Sequence, residues 1–287
     1  MSLVYLNGEY KPIEEASINV LDRGFIFGDG VYEVIPIFNR KIFRFSEHIM
    51  RLENSLKAIY MKNPLKENEW SDIFYKLIGS LEESNQSIYL QITRGVSKRD
   101  HDITIASEPT IFVMSRPIDM NNFSSGIKAI THEDIRWKYC DIKAITLLPS
   151  ILLRYKAKEQ GARETILVRN KYITEGAASN VFVCADDKIL TPPKTNHVLS
   201  GITRDLLIQI LSSNNLPIIE SSIDENTLMG ASEIWITSST WEIIPVVELD
   251  GKLIGSGKPG PLWQQANQLY QEFVLELILL VLLMLTL

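Results

Sequence analysis

Asp141-Ile142-Lys143, Thr174-Glu175-Gly176-Ala177-Ala178-Ser179-Asn180 and Leu199-Ser200-Gly201-Ile202-Thr203-Arg204 are three stretches set well apart in a chain of 287 residues. Lys143 precedes Ala144, Ile145, Leu147 and Leu148. A lysine desolvated among apolar neighbours offers a neutral, nucleophilic amine. A carboxylate such as Glu175, aimed at a heterocyclic nitrogen, keeps that nitrogen protonated and the ring able to accept electrons. Gly201-Ile202-Thr203 stands where a helix over Arg204 to Leu211 begins. Free amides at a helix start attract phosphate, and glycine permits close approach. A lysine amine, a ring-nitrogen partner and a phosphate cradle are groups that pyridoxal 5'-phosphate needs from a protein. Taken singly, each fits a plainer role: a strand-end lysine, a turn glutamate facing water, a first-turn threonine.

Outward from these stretches the chain reads as mixed α/β. Leu3 to Tyr10 alternates about Asn7-Gly8, a hairpin signal. Arg23 to Ile35 carries Gly24, Gly28 and Gly30 ahead of an apolar run, which predicts a turn feeding a strand. Ser46 is read as the N-cap of a helix over Glu47 to Tyr60, with Ile49, Leu52, Leu56 and Ile59 at helical spacing. A second helix is expected over Trp70 to Glu83, then strands at Ser87 to Arg94 and Thr110 to Met114. Asp119 to Gly126 is polar and turn-rich. Accordingly 1–119 is expected as a small N-terminal α/β domain, 120–126 as a linker, and 127–287 as a larger C-terminal domain. In the second domain, Leu148 to Gln160 reads as a helix closed by Gly161, and Glu233 to Thr237 as a strand. The last residues, 274–287, form an apolar tail broken only by Glu276 and Thr286. It is shorter than the roughly 20 residues a membrane span needs, so a helix docked on the body is expected.

Composition narrows the classes. With 29 basic and 35 acidic residues the net charge is -6 and no strongly basic block appears, which argues against a nucleic-acid partner. Two cysteines, Cys140 and Cys184, suit a reducing compartment, the cytoplasm, and the filling of core space. No CxxC pair or His/Cys cluster points to a metal. His48, His132 and His197 are assigned no role.

Three further groups extend the candidate site. Arg51, on the first predicted helix, offers a fork of donors for a phosphate dianion. Ser239 lies in the hydroxyl run Ser238-Ser239-Thr240. Arg99 and His101 are spaced to point to one side of an extended loop, and with Tyr32 they make a trio suited to a carboxylate.

The ordered motifs resemble the fold-type IV aminotransferase family, and within it the D-amino-acid branch. The stretches are Asp22-Arg23-Gly24, Phe27-Gly28-Asp29-Gly30-Val31-Tyr32-Glu33-Val34, Glu47-His48-Ile49, Gln91-Ile92-Thr93-Arg94-Gly95, Glu133-Asp134-Ile135-Arg136-Trp137 and Cys140-Asp141-Ile142-Lys143, followed by Thr174-Glu175-Gly176, Ser179-Asn180-Val181-Phe182 and Gly201-Ile202-Thr203-Arg204-Asp205. The resemblance runs from about Tyr5 to Phe273. It implies a two-domain α/β enzyme with pyridoxal 5'-phosphate between the domains, and a homodimer. It implies that Lys143 bonds the cofactor as a Schiff base, that Glu175 meets the ring nitrogen, and that Leu199 packs on the ring. Arg51, Ile202, Thr203 and Ser239 match the phosphate site; Tyr32, Arg99 and His101 match the trap for the substrate α-carboxylate. The implied reaction is ping-pong transamination between a D-amino acid, such as D-alanine, D-glutamate or D-aspartate, and a 2-oxo acid. The alternatives are L-branched-chain transamination, aminodeoxychorismate lysis, or a non-catalytic binding protein on this fold. The Arg-x-His pair favours the D branch. Ala177 and Ala178 stand where serines are common, and Trp241 is expected to narrow the substrate pocket.

Overall fold

The structure, a computed structural model, describes residues 2–105, 108–118 and 123–284, with side chains described as far as Glu276. Its elements run in the order β1 (Leu3–Leu6), β2 (Glu9–Pro12), α1 (Arg23–Phe27), β3 (Gly30–Phe38), β4 (Lys41–Ile42), α2 (Phe45–Ala58), α3 (Glu67–Gly79), β5 (Gln86–Thr93) and β6 (Thr110–Pro117). Next come β7 (Ile127–Glu133), α4 (Leu148–Glu159), β8 (Glu164–Arg169), β9 (Tyr172–Gly176), β10 (Asn180–Ala185), β11 (Lys188–Thr191) and α5 (Ile202–Ser213). The chain continues through β12 (Ile218–Glu220), α6 (Glu225–Met229), β13 (Glu233–Ser238), β14 (Glu242–Leu249), β15 (Lys252–Leu253) and α7 (Pro261–Met284).

These elements form two compact units: Met1–Asp119 with Ile142–Leu147, and Met120–Asp141 with Leu148–Leu287. The segment Ile142–Leu147, assigned to the second domain from sequence, therefore belongs to the first unit. Its main chain explains why. Tyr32 donates to the Lys143 carbonyl at 3.0 Å, Ile145 donates to the Gly30 carbonyl at 3.1 Å, and Val31 bridges Ala144. Of the expected linker 120–126, residues 120–122 lie outside the described residues.

The first unit is built on an antiparallel sheet in the order β2-β1-β6-β5-β3-β4. Alternation along β3 and β5 sends Val31, Ile35, Ile37, Ile88, Leu90 and Ile92 to one face, where Leu52, Leu56, Trp70, Phe74 and Leu77 from α2 and α3 cover them. Tyr32, Val34, Tyr89 and Gln91 occupy the other face and are half-buried. Two expectations change here. The stretch before β3 is a short helix, α1, rather than a simple turn; Asp22 caps it and Gly28 closes it at φ 68°. Only a residue at ease in the left-handed region closes it without strain. The N-cap of α2 is Arg44, not Ser46: the helix begins at Phe45, which puts Ser46 inside its first turn, where the hydroxyl donates to Glu67 at 2.9 Å.

The second unit holds a sheet in the order β12-β11-β10-β13-β14-β7-β8-β9, with β15 paired to β14. Three of its pairings, β11 with β12, β14 with β7 and β7 with β8, are parallel. Val181, Val183, Ile234, Ile236, Ile244 and Val246 interleave in one cluster, while Phe182 stacks on Trp235 with centroids 6.2 Å apart. Cys140 and Cys184 are buried and unpaired with each other, as expected of core-filling thiols. Helix α7 buries Trp263, Ala266, Tyr270 and Val274, so its first half docks on the body; the side chains of 277–287, most of the expected docked tail, lie outside the described residues. No helix among the described residues is long and apolar enough to cross a membrane.

The start of α7 is fixed by one acid. The buried Glu233 accepts from the amides of Leu262 at 2.9 Å and Trp263 at 2.8 Å, and from the Trp235 indole at 3.0 Å. A carboxylate at a helix N-terminus satisfies amides that have no helical partner and meets the favourable end of the dipole. Glu233→Ala is expected to cost about 3 kcal/mol, measured as a lower urea midpoint at unchanged slope. An unshifted midpoint would mean that α7 is held by its apolar face alone.

Candidate active site

The first unit gathers Lys143, Tyr32 and Arg51. Lys143 is half-buried, and its amide donates to the Ser55 hydroxyl at 3.2 Å. Its Nζ lies over the Tyr32 ring, 4.3 Å from the centroid, and makes no ion pair or hydrogen bond among the described residues. Main-chain pairing to β3 thus places the amine while leaving it chemically uncommitted. Arg51 sits one helical turn beyond His48 on α2, and both reach the buried Glu33 of β3. Arg51 Nε meets Glu33 Oε1 at 2.7 Å, Arg51 Nη2 meets Oε2 at 2.7 Å, and His48 Nδ1 lies 2.8 Å from Oε2. Burial opposes ionisation of Glu33, but the guanidinium and the imidazole hold its carboxyl well below the usual range. Burial also pushes His48 down, against the pull of Glu33. Arg51, expected from the sequence at the phosphate, thus has two of its donors on a carboxylate.

Arg99 and His101 are exposed on the loop after β5. Both lie against Phe27: the Arg99 guanidinium carbon is 5.5 Å from the ring centroid and the His101 ring is 5.5 Å away. No hydrogen bond, ion pair or ring contact joins either to Tyr32 among the described residues, so two members of the expected trio share Phe27 and the third lies beneath Lys143.

In the second unit, Glu175 is the penultimate residue of β9 and is buried. Its Oε1 accepts from Arg136 Nη1 at 2.5 Å; its Oε2 accepts from Asn180 Nδ2 and from the Leu199 amide, both at 3.0 Å. Arg136 is divided between two acids. Its Nε and Nη2 bind Asp134 at 2.9 and 3.0 Å, and Asp134 also meets Arg169 at 3.2 Å. Burial pushes the Glu175 carboxyl up to about 7, opposed by Arg136 and the Leu199 amide. Burial also opposes the charge on Arg136, but Glu175 and Asp134 outweigh it and hold the guanidinium above its ordinary range.

Leu199 therefore touches Glu175 through its main chain. Ile202 and Thr203 are buried in the first turn of α5, whose N-cap Gly201 provides no side-chain cap. A Cβ at Gly201 would strike the Asn180 amide oxygen, so the close approach demands glycine. Ser239 is half-buried just past β13. Trp241 packs with Phe123, Arg154 and Arg163. Asp134 and Arg136 carry no assigned role from the sequence alone. The Asp134-Ile135-Arg136 spacing, which in extended chain sends 134 and 136 to one side, was the available signal.

The chemistry of this donor set fits pyridoxal 5'-phosphate. Glu175 presents acceptor-only oxygens surrounded by donors, and a carboxylate has lone pairs for a further one. The α5 start has amides without a side-chain cap, as a phosphate site requires.

The class IV amino-transferase family profile matches residues 30–249, and the chain belongs to that family. It is 38% identical over 274 residues to the D-alanine aminotransferase of Bacillus licheniformis, covering 95% of this chain and 97% of that protein. It is 37% identical to the D-alanine aminotransferase of Listeria monocytogenes, covering 94% and 95%. Its fold superposes with a TM-score of 0.87 on the branched-chain aminotransferase of Thermoproteus uzoniensis with norvaline, at 25% identity over 96% of this chain and 95% of that one.

A carboxyl whose folded value exceeds its unfolded one binds protons more tightly when folded. Its stabilisation is complete below the unfolded value and is lost as pH rises through the folded one. For Glu175 the window runs from 4.5 to about 7. Cofactor-free protein is expected to lose about 3 kcal/mol across it relative to Glu175→Gln. Urea unfolding of both proteins at pH 5 and pH 8 checks this; parallel changes would show that Glu175 does not titrate there.

Proposed function

We propose that this chain is a pyridoxal 5'-phosphate-dependent aminotransferase that exchanges an amino group between a D-amino acid and a 2-oxo acid. The observation that carries the reading is full-length similarity to two D-alanine aminotransferases, joined to a chain that retains both Lys143 and a fully partnered Glu175. When bound, the cofactor supplies an aldehyde for the amino group and an electron-accepting ring.

The roles of the residues follow from their surroundings. Lys143 Nζ, uncommitted over the Tyr32 ring, is the base that takes the substrate α-proton and later returns a proton. Glu175 is the acceptor for the ring nitrogen, and Arg136 favours its ionised form against burial. Leu199 is the apolar contact for the ring. The Ile202 and Thr203 amides, the Ser239 hydroxyl and the Arg51 guanidinium are the phosphate donors. Tyr32, Arg99 and His101 serve the substrate carboxylate. One site accepts amino donor and acceptor in turn, so the kinetics are ping-pong. A homodimer, implied by the family resemblance, is part of the proposal; sedimentation equilibrium returning a single-chain mass would remove it.

A second reading, L-branched-chain transamination, is favoured by the likeness to a branched-chain enzyme. One screen separates the two. With 2-oxoglutarate as acceptor, D-alanine is expected to give pyruvate and D-glutamate, and turnover of L-leucine or L-isoleucine alone would overturn the D assignment. Lys143→Ala is expected to lose the covalent cofactor bond and about three orders of magnitude in turnover. An unimpaired Lys143→Ala protein removes the lysine from the mechanism.

A further inference from the structure

The loop bearing Arg99 and His101 is gripped beyond its first residues by a buried side chain, Arg23. That guanidinium, only 3% exposed, donates from Nε to Asp29 Oδ2 at 2.8 Å and from Nη1 to the carbonyls of Asp100 at 2.6 Å and Asp102 at 3.4 Å. Its own seat is rigid. Asp29 is gripped a second time by Arg94, through Nε at 2.8 Å and Nη2 at 3.0 Å. The preceding residue, Asp22, caps α1 and accepts from the hydroxyls of Thr93 at 2.9 Å and Thr110 at 2.6 Å. Arg23 is thereby tied to two strands, β5 and β6, and presents one edge of its fork to the loop.

We propose that Arg23 is a positioning residue for carboxylate binding: it fixes the backbone between Arg99 and His101 so that the two side chains keep one spacing and one direction. The proposal rests on the reading of that pair as carboxylate ligands. Asp100, whose carbonyl Arg23 holds, separates the two. All three residues meet at one ring, Phe27: Arg23 lies 4.9 Å from its centroid, Arg99 5.5 Å, and the His101 ring 5.5 Å. Arg99 and His101 make no ion pair or hydrogen bond of their own among the described residues, so their direction comes from the main chain. The loop closes locally: the Asp102 amide donates to Asp100 Oδ1 at 3.0 Å and the Thr104 amide to Asp102 Oδ1 at 2.8 Å. Holding the carbonyls of 100 and 102 therefore holds the whole turn. Arginine alone suits the task, because a planar fork serves an acid on one edge and carbonyls on the other, whereas an ammonium is a single point. A two-pronged grip on a carboxylate needs this order before the ligand arrives.

The test uses the full chain loaded with cofactor and compares Arg23→Lys, Arg23→Gln, Phe27→Leu and Arg99→Gln. It measures KM and kcat for D-alanine and 2-oxoglutarate, the inhibition constant of propionate, and amide hydrogen exchange over 98–104. Arg23→Lys and Arg23→Gln are expected to raise KM and the propionate constant about ten- to a hundredfold, with kcat changed less than about fivefold and loop exchange about tenfold faster. Arg99→Gln should raise the same constants without faster exchange. Unchanged KM and propionate binding in the Arg23 variants, beside weakened binding in Arg99→Gln, overturns the positioning role and leaves the carboxylate reading standing. Unchanged binding in Arg99→Gln as well overturns that reading, and the proposal with it. Should the Arg23 variants fail to fold, Phe27→Leu decides: a rise of about three- to tenfold in the same constants supports the proposal, and none defeats it.

Discussion

Two main-chain hydrogen bonds, from Tyr32 to the Lys143 carbonyl and from Ile145 to the Gly30 carbonyl, dock the segment Ile142–Leu147 onto the start of β3. Their effect is out of proportion to their number. They move Lys143 out of the unit that its sequence neighbours occupy and set its amine over the Tyr32 ring. Because the contact is through the backbone, the lysine side chain is not needed to hold the segment and keeps its amine for chemistry. The same pairing fixes Tyr32 on the sheet face opposite the core, while its neighbour Glu33 must turn inward.

That inward turn buries Glu33, and its contrast with Glu175 separates structure from chemistry. Glu33 receives two donors of Arg51 and one ring nitrogen of His48, and it is locked in its ionised form. Glu175 is equally enclosed, but its charged donor is one arm of Arg136, whose Nε and Nη2 bind Asp134, and its remaining donors, Asn180 and the Leu199 amide, are neutral. Its guanidinium is shared, so desolvation wins and the carboxyl rises to about 7. A group poised near neutrality suits a partner for a heterocyclic nitrogen; a group locked far below it suits a fastener between β3 and α2.

Arginine recurs as the organising side chain. Arg23 and Arg94 converge on Asp29, Arg136 and Arg169 on Asp134, and Arg204 reaches Glu220 and the Pro192 carbonyl from a fully buried position. In each case a planar fork joins an acid to a loop or to main-chain carbonyls. A buried pair of this kind adds little net stability, but it specifies one arrangement because losing either partner leaves a buried charge.

Much of this was written in local sequence. The alternation of β3 and β5, the helical spacing of Ile49, Leu52 and Leu56, the glycine ahead of α5 and the order of the motifs define the α/β class and the family, because each depends only on neighbours a few residues apart. The Lys143 and Glu175 stretches stand out as candidate chemistry for the same reason. What the sequence could not reveal were relations between distant residues. Ser46 reads as a cap, but the helix starts one residue earlier, at Phe45, and the Ser46 hydroxyl goes to Glu67. The clamp of Arg51 on Glu33 was out of view, and His48 had no role until β3 brought that acid beside it. The division of Arg136 between Asp134 and Glu175 joins residues 39 positions apart, and the grip of Arg23 on the loop at Asp100 spans 77. Charges and donors that far apart along the chain meet only after the strands have paired. Local pattern determined which elements form; tertiary packing decided which ionisable groups face each other, and hence which of them titrate.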